Sequence, residues 1–160
     1  MATRKTLVMV AGRIERLQAG DTVDADLAEV DLIELTNNNG SPAVIGEAVY
    51  IDGADTCDKA QANAAGTMDM VALVKDPSIA AATAGMVQSD GVLSATTGQW
   101  DAVTGDTGGL TTGSVYYLSA ATAGRITDTS PTAGGEYSVQ VGKALSTTEL
   151  EISIMDPIKL

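Results

Sequence analysis

Apolar residues in this chain come in runs of four to six, and Gly, Thr, Ser, Asn and Asp interrupt them every few positions. Runs this short do not make ordinary helices, so the pattern predicts an all-β fold with little helix. The closing stretch, residues 108–154, is the most explicit. Tyr137, Val139 and Val141 alternate with Ser138 and Gln140, and Leu150, Ile152 and Ile154 alternate with Glu149, Glu151 and Ser153. Period two marks half-buried strands, and Ser146, Thr147 and Thr148 between them are a connection short enough for an antiparallel hairpin. Residues 115–118, β-branched, aromatic and apolar between Gly113 and a loop ending at Gly124, predict a third strand.

From the start of the chain, residues 6–10 are apolar and Ala11-Gly12 can turn them back along residues 13–17, giving an N-terminal hairpin. Residues 24–35 fit a helical stripe or a strand over 30–35; the cluster Asn37-Asn38-Asn39-Gly40-Ser41-Pro42 gives a sharp stop and favours the strand. Strands are expected over residues 44–51 and 68–75, with a short one at 59–63. Every position of 70–74 is apolar, as in a strand covered on both faces. Residues 79–85 read as a helical turn or a loop, and Ser89-Asp90-Gly91 as a hairpin turn. Thr96 can cap a short helix whose Trp100 is expected to anchor the core.

One pattern recurs. Gly46-Glu47-Ala48-Val49-Tyr50-Ile51 leads through a turn, Lys59 and an Ala/Gly loop to an apolar strand; Gly113-Ser114-Val115-Tyr116-Tyr117-Leu118 leads through a turn, Arg125 and a Pro/Gly loop to another. Residues 46–75 and 113–145 thus read as two degenerate strand–loop–strand copies within one β-barrel-like body, residues 19–160, preceded by a basic arm, residues 1–18.

The 160 residues allow one domain with a real core or two small lobes. With no Phe and one Trp, that core is built from Val, Ile, Leu, Met and Ala. The net charge of −12 argues against nucleic acid and against an anionic membrane surface as partners. Arg4, Lys5, Arg13 and Arg16 face only Glu15 in the opening stretch, whereas Asp21, Asp24, Asp26, Glu29, Asp31 and Glu34 follow without a base. This asymmetry reads either as a solvated acidic face with a mildly basic end or as a basic arm that docks on acidic surface.

A chain with no His and one Cys, Cys57, has no Ser-His-Asp or Cys-His set, no internal disulfide, and no zinc or iron–sulfur ligand set. Cys57 reads as a small loop residue. The acidic turns 52–55 and 21–26 offer the hard oxygens that calcium takes but match no calcium-loop spacing. No cofactor, metal or enzymatic activity is expected. No stretch is long enough to span a bilayer, and the opening residues lack the apolar segment of a signal peptide, so synthesis in a cytoplasm is expected.

Three stretches, LTNNNGSPAVIGEAVYIDGADTCDKAQANAAG (35–66), TTGQWDAVTGDTGGLTTGSVYYLS (96–119) and PTAGGEYSVQVGKALSTTELEI (131–152), together with the opening KTLVMVAGRIERLQAGDT, resemble modules of structural proteins in tailed bacteriophages. The resemblance is to capsid decoration proteins, also called cement or head-stabilising proteins; similar GLTxGxxYYLS and VGxALSxTEL phrases occur in phage fibre and tail proteins. It implies a compact β-rich body of the β-tulip kind on the outer face of an assembled capsid, often as a homotrimer, with the major capsid protein as partner and no catalytic residues. Arg4, Lys5, Arg13 and Arg16 are then the expected capsid-docking residues. The alternative is a receptor- or glycan-binding module of a head or tail fibre.

Overall fold

In the computed structural model, residues 31–160 are described throughout, and ahead of them the backbone of residues 7–10 and 13–16. Those two early segments are strands β1 (Leu7–Val10) and β2 (Arg13–Arg16), paired antiparallel with Leu7 opposite Arg16 and Val10 opposite Arg13. This is the hairpin expected from the apolar run ahead of Ala11-Gly12 and the turn that these two make. Among the described residues it shares no ladder with any other strand. The part of the ambiguous 24–35 segment before residue 31, and the acidic turn at 21–26, lie outside the described residues.

The body is all-β, as its punctuation predicted. Its first half contains β3 (Leu32–Asn37), β4 (Ala43–Val44), β5 (Ala48–Gly53), β6 (Thr56–Lys59), β7 (Met70–Val74), β8 (Ser78–Ile79) and β9 (Ala84–Gln88). Five of these close a barrel in the order β3-β6-β5-β7-β9, with β9 returning antiparallel to β3. The β3–β6 contact, Thr36 opposite Thr56 and Asn37 opposite Cys57, is parallel. Leu35, Val49, Cys57, Ala72, Val74 and Val87, with Ala43 and Ile79 from the small β4–β8 pair, form one buried cluster. Met70 and Leu73 of β7 join a second cluster, so this strand is covered on two sides, as its unbroken apolar sequence requires.

The second half contains β10 (Gly91–Ser94), helix α1 (Thr97–Thr104), β11 (Val115–Leu118), β12 (Ile126–Thr127), β13 (Tyr137–Ser138), β14 (Gln140–Ala144), β15 (Glu149–Ile152) and β16 (Ile158–Lys159). Five strands form an open sheet, β10-β15-β14-β11-β12, and β13 pairs separately with β16. Read from β12, the order is the barrel's own order read from β6, strand for strand in chain sequence. The ladders even slip at the same place, between Val49 and Tyr50 on β5 and between Tyr116 and Tyr117 on β11. The basic residues do not share a rung, however. Cys57 stands opposite Ile51 and Ile126 opposite Leu118, so Lys59 corresponds to Asp128 and not to Arg125.

The two halves differ in closure. β10 and β12 do not pair as β3 and β6 do, and α1, which follows β10 in the chain, packs against β12. The helix starts at Thr96, whose hydroxyl accepts from the Gln99 N–H while the Gln99 side chain accepts from the Thr96 N–H, a reciprocal capping box. It ends at Gly105 in the left-handed conformation. Trp100 is fully buried, and its indole N–H donates to the Thr148 carbonyl at 3.1 Å.

Main-chain hydrogen bonds sew the halves together. The Ala48 N–H donates to the Gly124 carbonyl (2.8 Å), Gly124 N–H to Ala60 (2.7 Å), Ala62 N–H to Ser119 (3.0 Å) and Tyr137 N–H to Ala62 (2.9 Å). The larger cluster follows this seam, joining Ala48, Ala60, Ala62, Met70 and Leu73 to Leu93, Trp100, Tyr116, Leu118, Ile126, Val141, Leu150 and Ile152. Burial of that shared apolar surface makes one folding unit of two sheets.

Candidate functional site

Of the four basic residues expected to dock, Arg4 and Lys5 lie outside the described residues, and Arg13 and Arg16 occupy the two ends of β2. The structure brings these two together on one strand of a hairpin that, among the described residues, shares no ladder with the body. A hairpin alone is marginal in water, so a four-residue pair of this kind gains from a surface to lie against.

Two concave surfaces on the body are large enough to receive something. The first is a half-open groove of about 950 Å³ on the outer side of the β10–β15 ladder. Leu93 and Leu150 face each other in that ladder and are buried. The alternation therefore turns their neighbours outward: Val92 opposite Glu151 and Ser94 opposite Glu149. Asp90, Leu145 and Lys75 complete the wall. Three carboxylates thus meet one ammonium over an apolar floor in which Val92 and Leu145 are exposed. Among the described residues none of these charges is in an ion pair; the ion pair there is Lys59–Glu47.

The second cavity, about 450 Å³ and more open, runs from the end of α1 along the loop after β12. Hydroxyls dominate it: Thr104, Ser119, Thr122, Thr127, Thr129, Ser130 and Thr132. Several are already engaged, Ser119 Oγ accepting from the Ala121 and Thr122 N–H groups and Ser130 Oγ meeting Ser138 Oγ at 2.8 Å. Arg125 supplies the cation there, its guanidinium packed on Gly105 at the helix end.

Between the halves, Lys59 Nζ donates to Glu47 Oε1 at 2.8 Å, and the other oxygen of Glu47 accepts from the Val44 N–H at 2.9 Å. Gly124 lies directly on this pair, which is therefore structural and spent.

The remaining chemistry is quiet. Cys57 is not in a loop but in the middle of β6, fully buried, because the alternation of Thr56, Cys57, Asp58 and Lys59 turns the one apolar side chain inward. Burial first, then the charges of Asp52 and Asp58, push its thiol up to about 11. Asp52, in the acidic turn, accepts from the Asn38 amide (2.6 Å) and the Thr56 hydroxyl (2.7 Å), and those bonds hold its carboxyl below the usual range. Among the described residues no three His, Cys, Asp or Glu side chains are grouped to hold a metal ion.

Sequence reading missed the groove. Its strands, β10 and β15, are distant in the chain, and the signal available was the outward Glu149–Glu151 alternation, which says "exposed acid" without saying what lies beside it. Compared with protein-family models and with curated proteins, the chain has no match.

Proposed function

We propose that this chain is a structural virion protein of a tailed bacteriophage, binding the outer surface of the assembled capsid and stabilising it by bridging major capsid protein subunits. One observation carries the reading: the basic hairpin forms a two-stranded sheet of its own ahead of an acid-rich β body. A hairpin that shares no ladder with the body among the described residues is suited to adding strands to a neighbour's sheet, and its bases suit an acidic shell. Self-repulsion at a net charge of −12 keeps the free protein soluble, and repetition of weak contacts over a lattice makes attachment firm. The homotrimer implied by the sequence resemblance belongs to this proposal, as does the reading of the two like-ordered sheets as copies of one unit.

The test is occupancy. Removing residues 2–18 and incubating the remainder with assembled shells should abolish sedimentation with them, whereas unchanged occupancy overturns the arm as the docking element. The hydroxyl-lined cavity around Arg125 favours a second reading, a receptor- or glycan-binding module of a head or tail fibre. A glycan array separates the two: selective retention of a sugar supports the fibre module, and none is expected of a cement protein.

A further inference from the structure

We propose that the acidic groove over β10 and β15 is the resting seat of the chain's own N-terminal hairpin. This rests on reading that hairpin as the docking element, and it adds that the free protein covers its docking residues against its own body.

The argument begins with where the chain enters the body. The Ser89 N–H donates to the Asp31 carbonyl at 3.0 Å, so the first fully described residue sits beside Ser89, next to Asp90 and Gly91 at the rim of the groove. Fourteen residues, 17–30, separate β2 from that point. Fully extended they span at most about 50 Å. The length of chain between them therefore allows the hairpin to reach the groove.

Charge and shape then match. The hairpin segment carries Arg4, Lys5, Arg13 and Arg16 against Glu15, together with Leu7, Val8, Met9, Val10 and Ile14. The groove offers Asp90, Glu149 and Glu151 against Lys75, with Val92 and Leu145 exposed between them. By sequence the hairpin is basic and apolar, and the groove is acidic with exposed apolar residues, so the two are complementary in charge and hydropathy. The lengths agree as well. β1, β2, β10 and β15 each have four residues, and β10 is an edge strand whose only ladder partner among the described residues is β15. In the barrel the corresponding strand, β3, is paired on both edges. The open edge and the groove beside it are what the second sheet retains by not closing.

Amide hydrogen exchange on the full-length protein tests this. At low salt, E149K/E151K should raise exchange at Leu7–Val10 and Arg13–Arg16 about tenfold or more, R13E/R16E should raise it at Gly91–Ser94 to a similar extent, and combining all four should restore protection. High salt should act on the parent as either pair does. The arginine pair lies outside the body, so its effect at β10 is read on an intact fold. Equal protection in parent and variants overturns the proposal. Sedimentation decides whose hairpin is seated: a monomer that keeps the protection supports the tethered arrangement, and a dimer that dissociates on charge reversal overturns it in favour of exchange between copies. Capsid occupancy is a separate readout. Loss of shell binding with the exchange pattern intact removes the virion function and leaves the seat, and the converse result does the opposite.

Discussion

Asn37 shows how tightly single residues are committed in this body. It is 1% exposed, yet its amide donates to the Ser41 and Ile79 carbonyls at 3.0 and 2.9 Å and its oxygen accepts from the Asn39 N–H at 3.0 Å. That set folds the Asn-rich turn back onto the end of β8. Replacing Asn37 by Leu leaves a buried carbonyl unpaired and should cost about 2 to 3 kcal/mol in urea unfolding. A loss below about 0.5 kcal/mol would show that the turn holds without it. Cys57 makes the second prediction. Its thiol is raised to about 11 in the fold from 9.0 when free, so the folded state holds the proton more tightly. The contribution is complete below pH 9 and is lost as pH rises through about 11. Thiol labelling at pH 8 should proceed only at the rate of unfolding; fast labelling of native protein would contradict the burial.

At the scale of elements, α1 and the strand pattern are tied through one contact. Gly46 and Gly113 open corresponding strands with φ of +86° and +84°. A Cβ on Gly46 would sit 2.8 Å from the Trp100 ring, whereas one on Gly113 meets nothing. Both alanine variants incur left-handed strain of about 1–2 kcal/mol, and G46A should cost about 1–3 kcal/mol more by overpacking the indole. Equal losses would mean that Trp100 can give way. Strands with several alternating positions were legible in the sequence, as Val115–Leu118 and the 14–15 hairpin show. Boundaries drifted where tertiary pairing cuts an apolar run. Val139 leaves the ladder to accept from the Leu118 N–H, splitting the strand expected over 137–141 into β13 and β14. Two-residue strands such as β8 carry no period at all, so the Ala-rich stretch around residues 79–85 read as turn or helix. The short strand expected over 59–63 lies instead at Thr56–Lys59 as β6, because one inward Cys among Thr, Asp and Lys leaves no apolar run to place it by. The candidate site divided likewise: the basic hairpin was legible as local sequence, and the acidic groove, made by strands distant in the chain, was not.

Over the whole molecule, one core spans the seam between barrel and open sheet, so heat or urea should unfold residues 31–160 in a single transition sensed equally by Trp100 fluorescence and far-ultraviolet circular dichroism. Separate transitions would divide the body into independent halves. The Lys59–Glu47 pair sits on this seam, and K59M, which strands a largely buried carboxylate, should lower the shared midpoint for both probes together. A body so joined offers a rigid platform, and rigidity is what a shell-reinforcing protein contributes to a lattice. The most direct measurement of that role is an image reconstruction of the intact particle from the phage that encodes the chain. The account predicts a β body on the outer face of the capsid, with the hairpin of residues 7–16 laid on the major capsid protein. Density for the protein only at the tail or fibres, or none on the particle, would contradict it.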